Sequence, residues 1–172
     1  MAMFPLKNYS VRLKSGDIHR FILSMILAFG NGMAFAESTP IGLWKTLDED
    51  SGESKSLVRI TENQGVLEGR IEKLLDPNDS PNALCERCDG ERRNQLILGL
   101  LILRNVRLAD SKSRQWNGGD ILDPENGKVY KVKLVLSADG HQLDVRGYIG
   151  ISLFGRTQTW IRVNALMQFK SG

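Results

Sequence analysis

The amino-acid sequence predicts an all-β fold of about eight antiparallel strands in sequential hairpin order. Short segments alternate apolar and polar residues, turn residues separate these segments at intervals typical of hairpins, and helix signals are scarce. This combination is typical of an up-and-down barrel or a sandwich.

The strands follow one another along the chain. We expect them over residues 43–48, 57–61, 66–75, 96–103, 128–136, 142–148 and 156–163. Two clear turns separate them, at Asn63-Gln64-Gly65 and at Asp123-Pro124-Glu125-Asn126-Gly127. Proline presets a turn conformation and Asn-Gly tolerates positive φ, so both segments favour hairpins.

The segment 76–94 interrupts this pattern. It holds Pro77, Pro81, Cys85 and Cys88 with few apolar residues, and it is too long and too polar for an ordinary hairpin connection. Such loops are commonly lids or binding loops, with a disordered surface excursion as the alternative.

The segment 96–103 is apolar on both faces. A strand of this kind needs cover on both sides, from the barrel core and from a helix, a loop or a second subunit. A core helix is the competing interpretation, since periodicity cannot separate short buried runs.

An export signal precedes the predicted barrel. The apolar run from Phe21 to Phe29 follows a basic segment and leads into Ala34-Phe35-Ala36, a small-x-small cleavage site. Because a membrane-spanning helix needs about 20 apolar residues, we expect no stable membrane insertion. We expect residues 1–36 to be a signal peptide cleaved near Ala36, and residues 37–172 to form one domain in the periplasm or outside the cell.

The charge of the mature chain bears on its partners. Residues 1–36 carry four of the 23 Lys and Arg and one of the 20 Asp and Glu, so residues 37–172 are formally neutral. Nucleic-acid binding rewards clustered Lys and Arg. We therefore expect no nucleic-acid partner.

The two ends of the predicted barrel carry a known pattern. Gly42-Leu43-Trp44 in the first strand, with Trp160-Ile161-Arg162 in the last, resembles the lipocalin and wider calycin pattern. That resemblance implies that Trp44 packs beneath Arg162 and closes the barrel base with Gly42. The physics is favourable, because an indole face attracts a guanidinium that keeps donors for strand-end carbonyls.

A second resemblance covers nearly the whole mature chain. Its motifs are Gly42-Leu43-Trp44, Cys85-Glu86-Arg87-Cys88, 119–130, and 146–150 through 154–160. They resemble a family of small exported bacterial proteins known as domain of unknown function 2147. This resemblance implies a lipocalin-like barrel and brings no activity, cofactor or catalytic residue.

Cys85 and Cys88 form a C-x-x-C motif. A zinc site needs about four ligands, and the only histidine after residue 36 is His141, so we expect no metal site. A thioredoxin-type pair normally begins a helix after a strand, whereas here the flanks belong to a polar loop. We interpret the pair as a disulfide that closes the loop, with thiol-redox chemistry as the alternative.

Four residues near the C-terminus are candidate ligand contacts. Arg146 and Tyr148 share one strand parity, and Arg156 and Trp160 share parity in the next strand. If these side chains line a barrel mouth, they supply donors for a carboxylate or phosphate headgroup. Solvent exposure is the alternative.

Nothing in the sequence requires that this protein be an enzyme. It shows no glycine-rich phosphate loop and no defensible acid–base pair, so we assign no catalytic residue and expect no cofactor. Our hypothesis is a lipocalin-like protein that binds or carries a small apolar or amphipathic ligand. The alternatives are an interaction or structural module that forms a homodimer or docks a partner through 96–103, and a thiol-redox protein using Cys85 and Cys88.

Overall fold

The computed structural model describes residues 39–48 and 51–164. The predicted signal peptide, 1–36, and its cleavage site lie outside the described residues. The described part contains one short 3-10 helix, Gly90–Arg92, and nine strands. The strands are β1 (Gly42–Leu47), β2 (Ser54–Asn63), β3 (Val66–Leu74), β4 (Leu101–Asp110), β5 (Gln115–Asn117), β6 (Asp120–Leu122), β7 (Val129–Leu136), β8 (Gln142–Tyr148) and β9 (Gly155–Arg162).

The strands close into an antiparallel barrel. Each strand pairs with its sequence neighbours, except that β5 and β6 both lie between β4 and β7. Nine strands therefore occupy eight positions. The ring closes where β1 pairs with β9, with Trp44 opposite Arg162. The all-β, eight-position antiparallel barrel predicted from the sequence is confirmed.

The barrel has two different ends. The connections after β2, β4 and β7 are short turns, and they lie at the end where β9 finishes. We call this end the base. The connections after β1, β3, β6 and β8 lie at the opposite end, the mouth, and they include the long segment between β3 and β4. Because loops at one end of a rigid barrel can vary freely, the mouth is where a site is expected.

The core lies inside the barrel, where alternate residues of each strand point inward. In β7 the inward residues Val132, Leu134 and Leu136 are buried. The fully buried large side chains across the barrel are Trp44, Trp160, Ile60, Leu67, Leu100, Leu103, Leu122, Leu134, Leu143, Val58, Val106 and Val132. Burial on this scale supplies the main stabilising free energy of the fold.

The strand predicted over 96–103 begins later than expected. β4 starts at Leu101, whereas Leu96 forms only an isolated bridge with Leu84 and Gly99 has a φ of +87°. The positive φ at Gly99 turns the chain before the strand, so the apolar run is divided between loop and barrel. The segment is therefore neither one continuous strand nor a helix.

Candidate functional site

The base of the barrel is closed by Trp44 and Arg162. Trp44 is fully buried and Arg162 is 6% exposed. The guanidinium carbon lies 4.3 Å from the centroid of the indole, within the range of a cation–π interaction. Arg162 donates from Nε to the Gly140 carbonyl at 2.6 Å, from Nη1 to that of Ile41 at 2.7 Å, and from Nη2 to that of Thr39 at 2.6 Å. This buried cation is therefore both stacked and hydrogen-bonded.

Gly42 gives Arg162 the space it needs. A Cβ atom at Gly42 would lie 2.6 Å from Nη1 of Arg162, closer than carbon and nitrogen can approach. The indole Nε1 of Trp44 also donates to the Pro40 carbonyl at 2.7 Å, so its polar atom is satisfied. Gly42, Trp44 and Arg162 thus form one contact group at the base.

The turn between β7 and β8 supports Arg162 from the other side. Asp139 accepts hydrogen bonds from Ser137 Oγ at 2.6 Å and from the His141 backbone N–H at 3.0 Å. These bonds, with the Ser137 side chain as the largest cause, hold the pKa of Asp139 below its ordinary value. The same turn presents the Gly140 carbonyl to Arg162. An ionised Asp139 therefore stabilises the turn that holds the closing arginine.

The barrel encloses a cavity of about 520 Å³ between the base and the mouth. This volume falls within the range of roughly 300–1,000 Å³ that small-molecule sites occupy. Its apolar lining comes from Ile71, Ile102, Ile121, Leu122, Val145 and Trp160. The indole Nε1 of Trp160 donates to Gln158 Oε1 at 3.3 Å. The inner wall therefore combines these apolar side chains with the polar side chains of Thr46, Ser56 and Gln158.

One part of the cavity rim is polar. Lys55 forms an ion pair with Glu125, and its Nζ lies 3.7 Å from Oδ2 of Asp48. Asn126 donates from Nδ2 to the hydroxyl of Tyr130 at 3.3 Å. Because apolar side chains form most of the inner wall and charged groups lie at part of the rim, the cavity matches a molecule with an apolar body and a polar end.

The structure brings three of the four candidate ligand residues to this cavity. Tyr148, Arg156 and Trp160 are lining residues, with Trp160 buried in the wall and Arg156 exposed at the rim. Arg146 is not among them. Arg146 and Tyr148 both have the outward parity of β8, opposite to buried Leu143 and Val145. Tyr148 ends the strand and lies at the rim, whereas the guanidinium of Arg146 binds the loop between β8 and β9.

Several lining residues come from outside the sequence-predicted set. Gly147 faces the cavity, where an added Cβ would meet Tyr130 Cβ at 3.5 Å. Ile149 and Phe154, from the connection after β8, line the mouth. The inward parity of Val145 predicts the position of Gly147. No sequence signal identifies Tyr130 or the loop residues, because cross-barrel proximity depends on register.

Cys85 and Cys88 form a disulfide, with their Cα atoms 5.3 Å apart. Both residues are buried and belong to the apolar core cluster. The loop packs against the turn after β6, where Cys85 Sγ lies 3.5 Å from the Pro124 carbonyl and Arg87 donates to that of Glu125 at 3.1 Å. Because thiol–disulfide exchange needs access for an attacking thiolate, this burial argues against a redox role. The disulfide instead supports part of the cavity rim.

Residues 39–48 and 51–164 contain no group of three or more His, Cys, Asp and Glu side chains placed to hold a metal ion. No helix within these ranges is long and apolar enough to cross a bilayer.

Comparison with known proteins identifies the family. Residues 42–162 match the family of uncharacterized proteins conserved in bacteria, DUF2147. The chain belongs to the DUF2147 family. No curated protein matches it. The match runs from Gly42 to Arg162, the two ends of the barrel, so the family region is the whole closed β-structure.

A solved structure resembles this DUF2147 protein in fold. It is a Helicobacter pylori protein described as belonging to the lipocalin family, with a TM-score of 0.65 and 20% sequence identity. The alignment covers 76% of this chain and 86% of the Helicobacter pylori chain. The lipocalin-like architecture expected from the sequence is thereby confirmed for this DUF2147 barrel.

Proposed function

We propose that this protein is a periplasmic or secreted carrier that binds one small apolar or amphipathic molecule inside its barrel. The observation that carries the proposal is the cavity of about 520 Å³, with a mainly apolar inner wall and charged groups at its rim, above a base closed by Trp44 and Arg162. The interior of an eight-position barrel can hold either core side chains or one small ligand. In this barrel the core side chains leave a cavity unfilled. The Cys85–Cys88 disulfide supports an oxidising compartment.

The cavity gives each part of the ligand a different environment. We assign the apolar body to the wall formed by Val145 and Trp160, and the polar end to Arg156 and Tyr148 at the rim. A guanidinium favours carboxylate or phosphate oxygens, so an anionic headgroup fits best. Arg146 is left out of the site, because its Nε, Nη1 and Nη2 already donate to Ser152, Thr157 and Leu153.

Titration with 1-anilinonaphthalene-8-sulfonate, followed by displacement with dodecanoate, tests the cavity. Gly147→Val adds an isopropyl group of three carbon atoms to the cavity wall, on a strand that favours β-branched residues, so both probes should bind at least tenfold more weakly. Thr61→Val, on the exposed outer side of β2, is the matched control and should bind as the wild type does. Absence of saturable binding, or unchanged binding by Gly147→Val, would overturn the proposal.

The headgroup assignment has its own test. Arg156→Gln should weaken dodecanoate binding about tenfold while leaving dodecanol binding unchanged, because only the carboxylate uses the guanidinium. Arg107→Gln removes the same charge from an exposed position of β4 and is the control. Equal losses for dodecanoate and dodecanol would contradict the assigned headgroup contact.

A second candidate function is association through the surface of the β3–β4 connection. Leu84, Leu96 and Leu98 are exposed there, and Leu84 bridges Leu96. Exposed apolar clusters mark interaction surfaces. Light scattering should then detect a dimer that Leu96→Ser/Leu98→Ser dissociates. A monomer at high concentration would reject this candidate.

A further inference from the structure

The connection between β8 and β9 exposes an unusual amount of apolar surface. Ile149 is 68% exposed, Ile151 61%, Leu153 75% and Phe154 73%. We call residues 149–154 the apolar tip. Clusters of large exposed apolar side chains on a soluble fold mark interaction sites, since each side chain loses free energy in water.

The apolar tip is held by specific hydrogen bonds. Arg146 donates from Nε to the Ser152 carbonyl at 2.7 Å and from Nη2 to that of Leu153 at 3.1 Å. A third bond runs from Nη1 to Thr157 Oγ1 at 2.8 Å. One outward-facing arginine therefore satisfies the polar backbone on the barrel side of the tip, while the apolar side chains remain in solvent. These bonds hold the apolar side chains of the tip in one position relative to the barrel.

Three basic residues lie on the strands next to the apolar tip. Across the β7–β8 pair, Lys131 lies opposite Tyr148 and Lys133 lies opposite Arg146, which are one and three residues before the tip. Arg156 follows the tip on β9 and is exposed. The nearest acidic residue on β8, Asp144, lies farther toward the base. The strands beside the tip therefore carry three basic side chains, while Asp120 of β6 lies opposite Lys131 and the turn after β6 brings Asp123 and Glu125 to the same end of the barrel.

We propose that the apolar tip docks this protein onto the surface of an anionic lipid bilayer. Apolar side chains enter the boundary between headgroups and acyl chains, and basic residues near that boundary attract anionic headgroups. Ile149 and Phe154 also line the cavity mouth, so docking places the mouth against the membrane. The proposed binding to the bilayer depends on the exposed tip and not on the carrier function. Transfer of a lipid-like ligand through the mouth, in contrast, rests on the proposed carrier function.

Co-sedimentation with vesicles tests the docking. We expect the wild-type protein to bind vesicles of phosphatidylglycerol and phosphatidylethanolamine, to bind phosphatidylcholine vesicles more weakly, and to lose affinity as salt rises. Ile151→Ser/Leu153→Ser should reduce partitioning at least tenfold. Neither residue lines the cavity, so titration with 1-anilinonaphthalene-8-sulfonate should be unchanged in this variant.

Control variants show whether vesicle binding depends on the apolar tip and on the nearby lysines. Leu108→Ser removes an exposed leucine from the base half of β4 and should leave vesicle binding unchanged. Lys131→Gln/Lys133→Gln should weaken binding to anionic vesicles only. Failure of the wild type to bind anionic vesicles, or equal binding by Ile151→Ser/Leu153→Ser, overturns the proposal. So does a wild-type dimer that this tip variant dissociates, because a second copy would then cover the tip.

Discussion

The guanidinium of Arg162 stacks on the indole of Trp44 and holds the carbonyls of Thr39, Ile41 and Gly140. One side chain thereby joins the segment before the first strand, the last strand and the β7–β8 turn. These three parts of the chain meet at the base, where β1 and β9 close the barrel. The contact gives the cavity its closed end.

Replacing the indole should weaken the whole barrel. Trp44→Ala removes a fully buried side chain and the partner of the guanidinium, so we expect the free energy of unfolding to fall by about 3–5 kcal/mol. Urea denaturation followed by circular dichroism measures this loss. Trp44→Phe keeps an aromatic face and should lose less. A Trp44→Ala protein with wild-type stability would show that the base contact does not hold the fold.

Lysine at position 162 should not stabilise the base as well as arginine does. Arg162→Lys keeps the charge but has one ammonium in place of three separated nitrogen donors, so at least one buried carbonyl loses its partner. We expect a loss of about 2 kcal/mol in the free energy of unfolding. Lys45→Arg, elsewhere on β1, is a control for exchange between these two residue types and should change stability little. Equal stability of Arg162→Lys and wild type would contradict the role assigned to the guanidinium.

The disulfide should contribute stability and shape the rim. Cys85→Ser/Cys88→Ser removes the cross-link of a short loop, which costs about 2 kcal/mol in the chain-entropy description. We also expect amide hydrogen exchange to accelerate in the turn after β6, because that turn packs on the loop. Wild-type exchange rates in that turn would show that the disulfide loop does not support the rim.

Two glycines with similar backbone angles should differ in their tolerance to alanine. Gly65 has a φ of +76° with open space around it, and Gly127 has a φ of +72°. A Cβ at Gly127 would overlap the carbonyl of Arg87 in the disulfide loop. Gly65→Ala should therefore cost about 1 kcal/mol for the backbone alone, and Gly127→Ala clearly more. Thermal unfolding of both variants compares them, and equal melting temperatures would contradict this packing.

Acid should loosen the base. The pKa of Asp139 is lowered in the folded state, so the stability it contributes is present above its ordinary value of 3.8 and is lost as the pH falls through the lower folded pKa. An NMR titration of the Asp139 carboxyl should give a midpoint below 3.8. Asp139→Asn should remove this part of the acid dependence. A midpoint at or above 3.8 would contradict the hydrogen bonds assigned to Asp139.

Much of the barrel could be predicted from the sequence, because alternation and turn residues act locally. β8 was predicted over 142–148, as observed, and β7 differs by one residue at its start. The error at 96–103 has a local cause too, since Gly99 turns a run whose apolar character continues into β4. The predicted strand ranges leave out residues 115–122, where the structure has the two short strands β5 and β6.

The cavity could be predicted only in part. Trp160 and Arg156 follow from the inward parity of β9, and burial of Leu143 and Val145 would have placed Arg146 outside. Tyr130, Lys55 and Glu125 come together through the register of distant strands, and no local pattern reports that register. No prediction from the sequence singles out the apolar tip, because its exposure depends on where the barrel ends.

A crystal structure with 12-bromododecanoate tests the central claim most directly, because anomalous scattering locates the bromine without assuming a binding site. We expect the bromine beside Trp160 inside the barrel and the carboxylate at the rim near Arg156 and Tyr148. Bromine found only on the outer surface, with water filling the cavity, would contradict the carrier account.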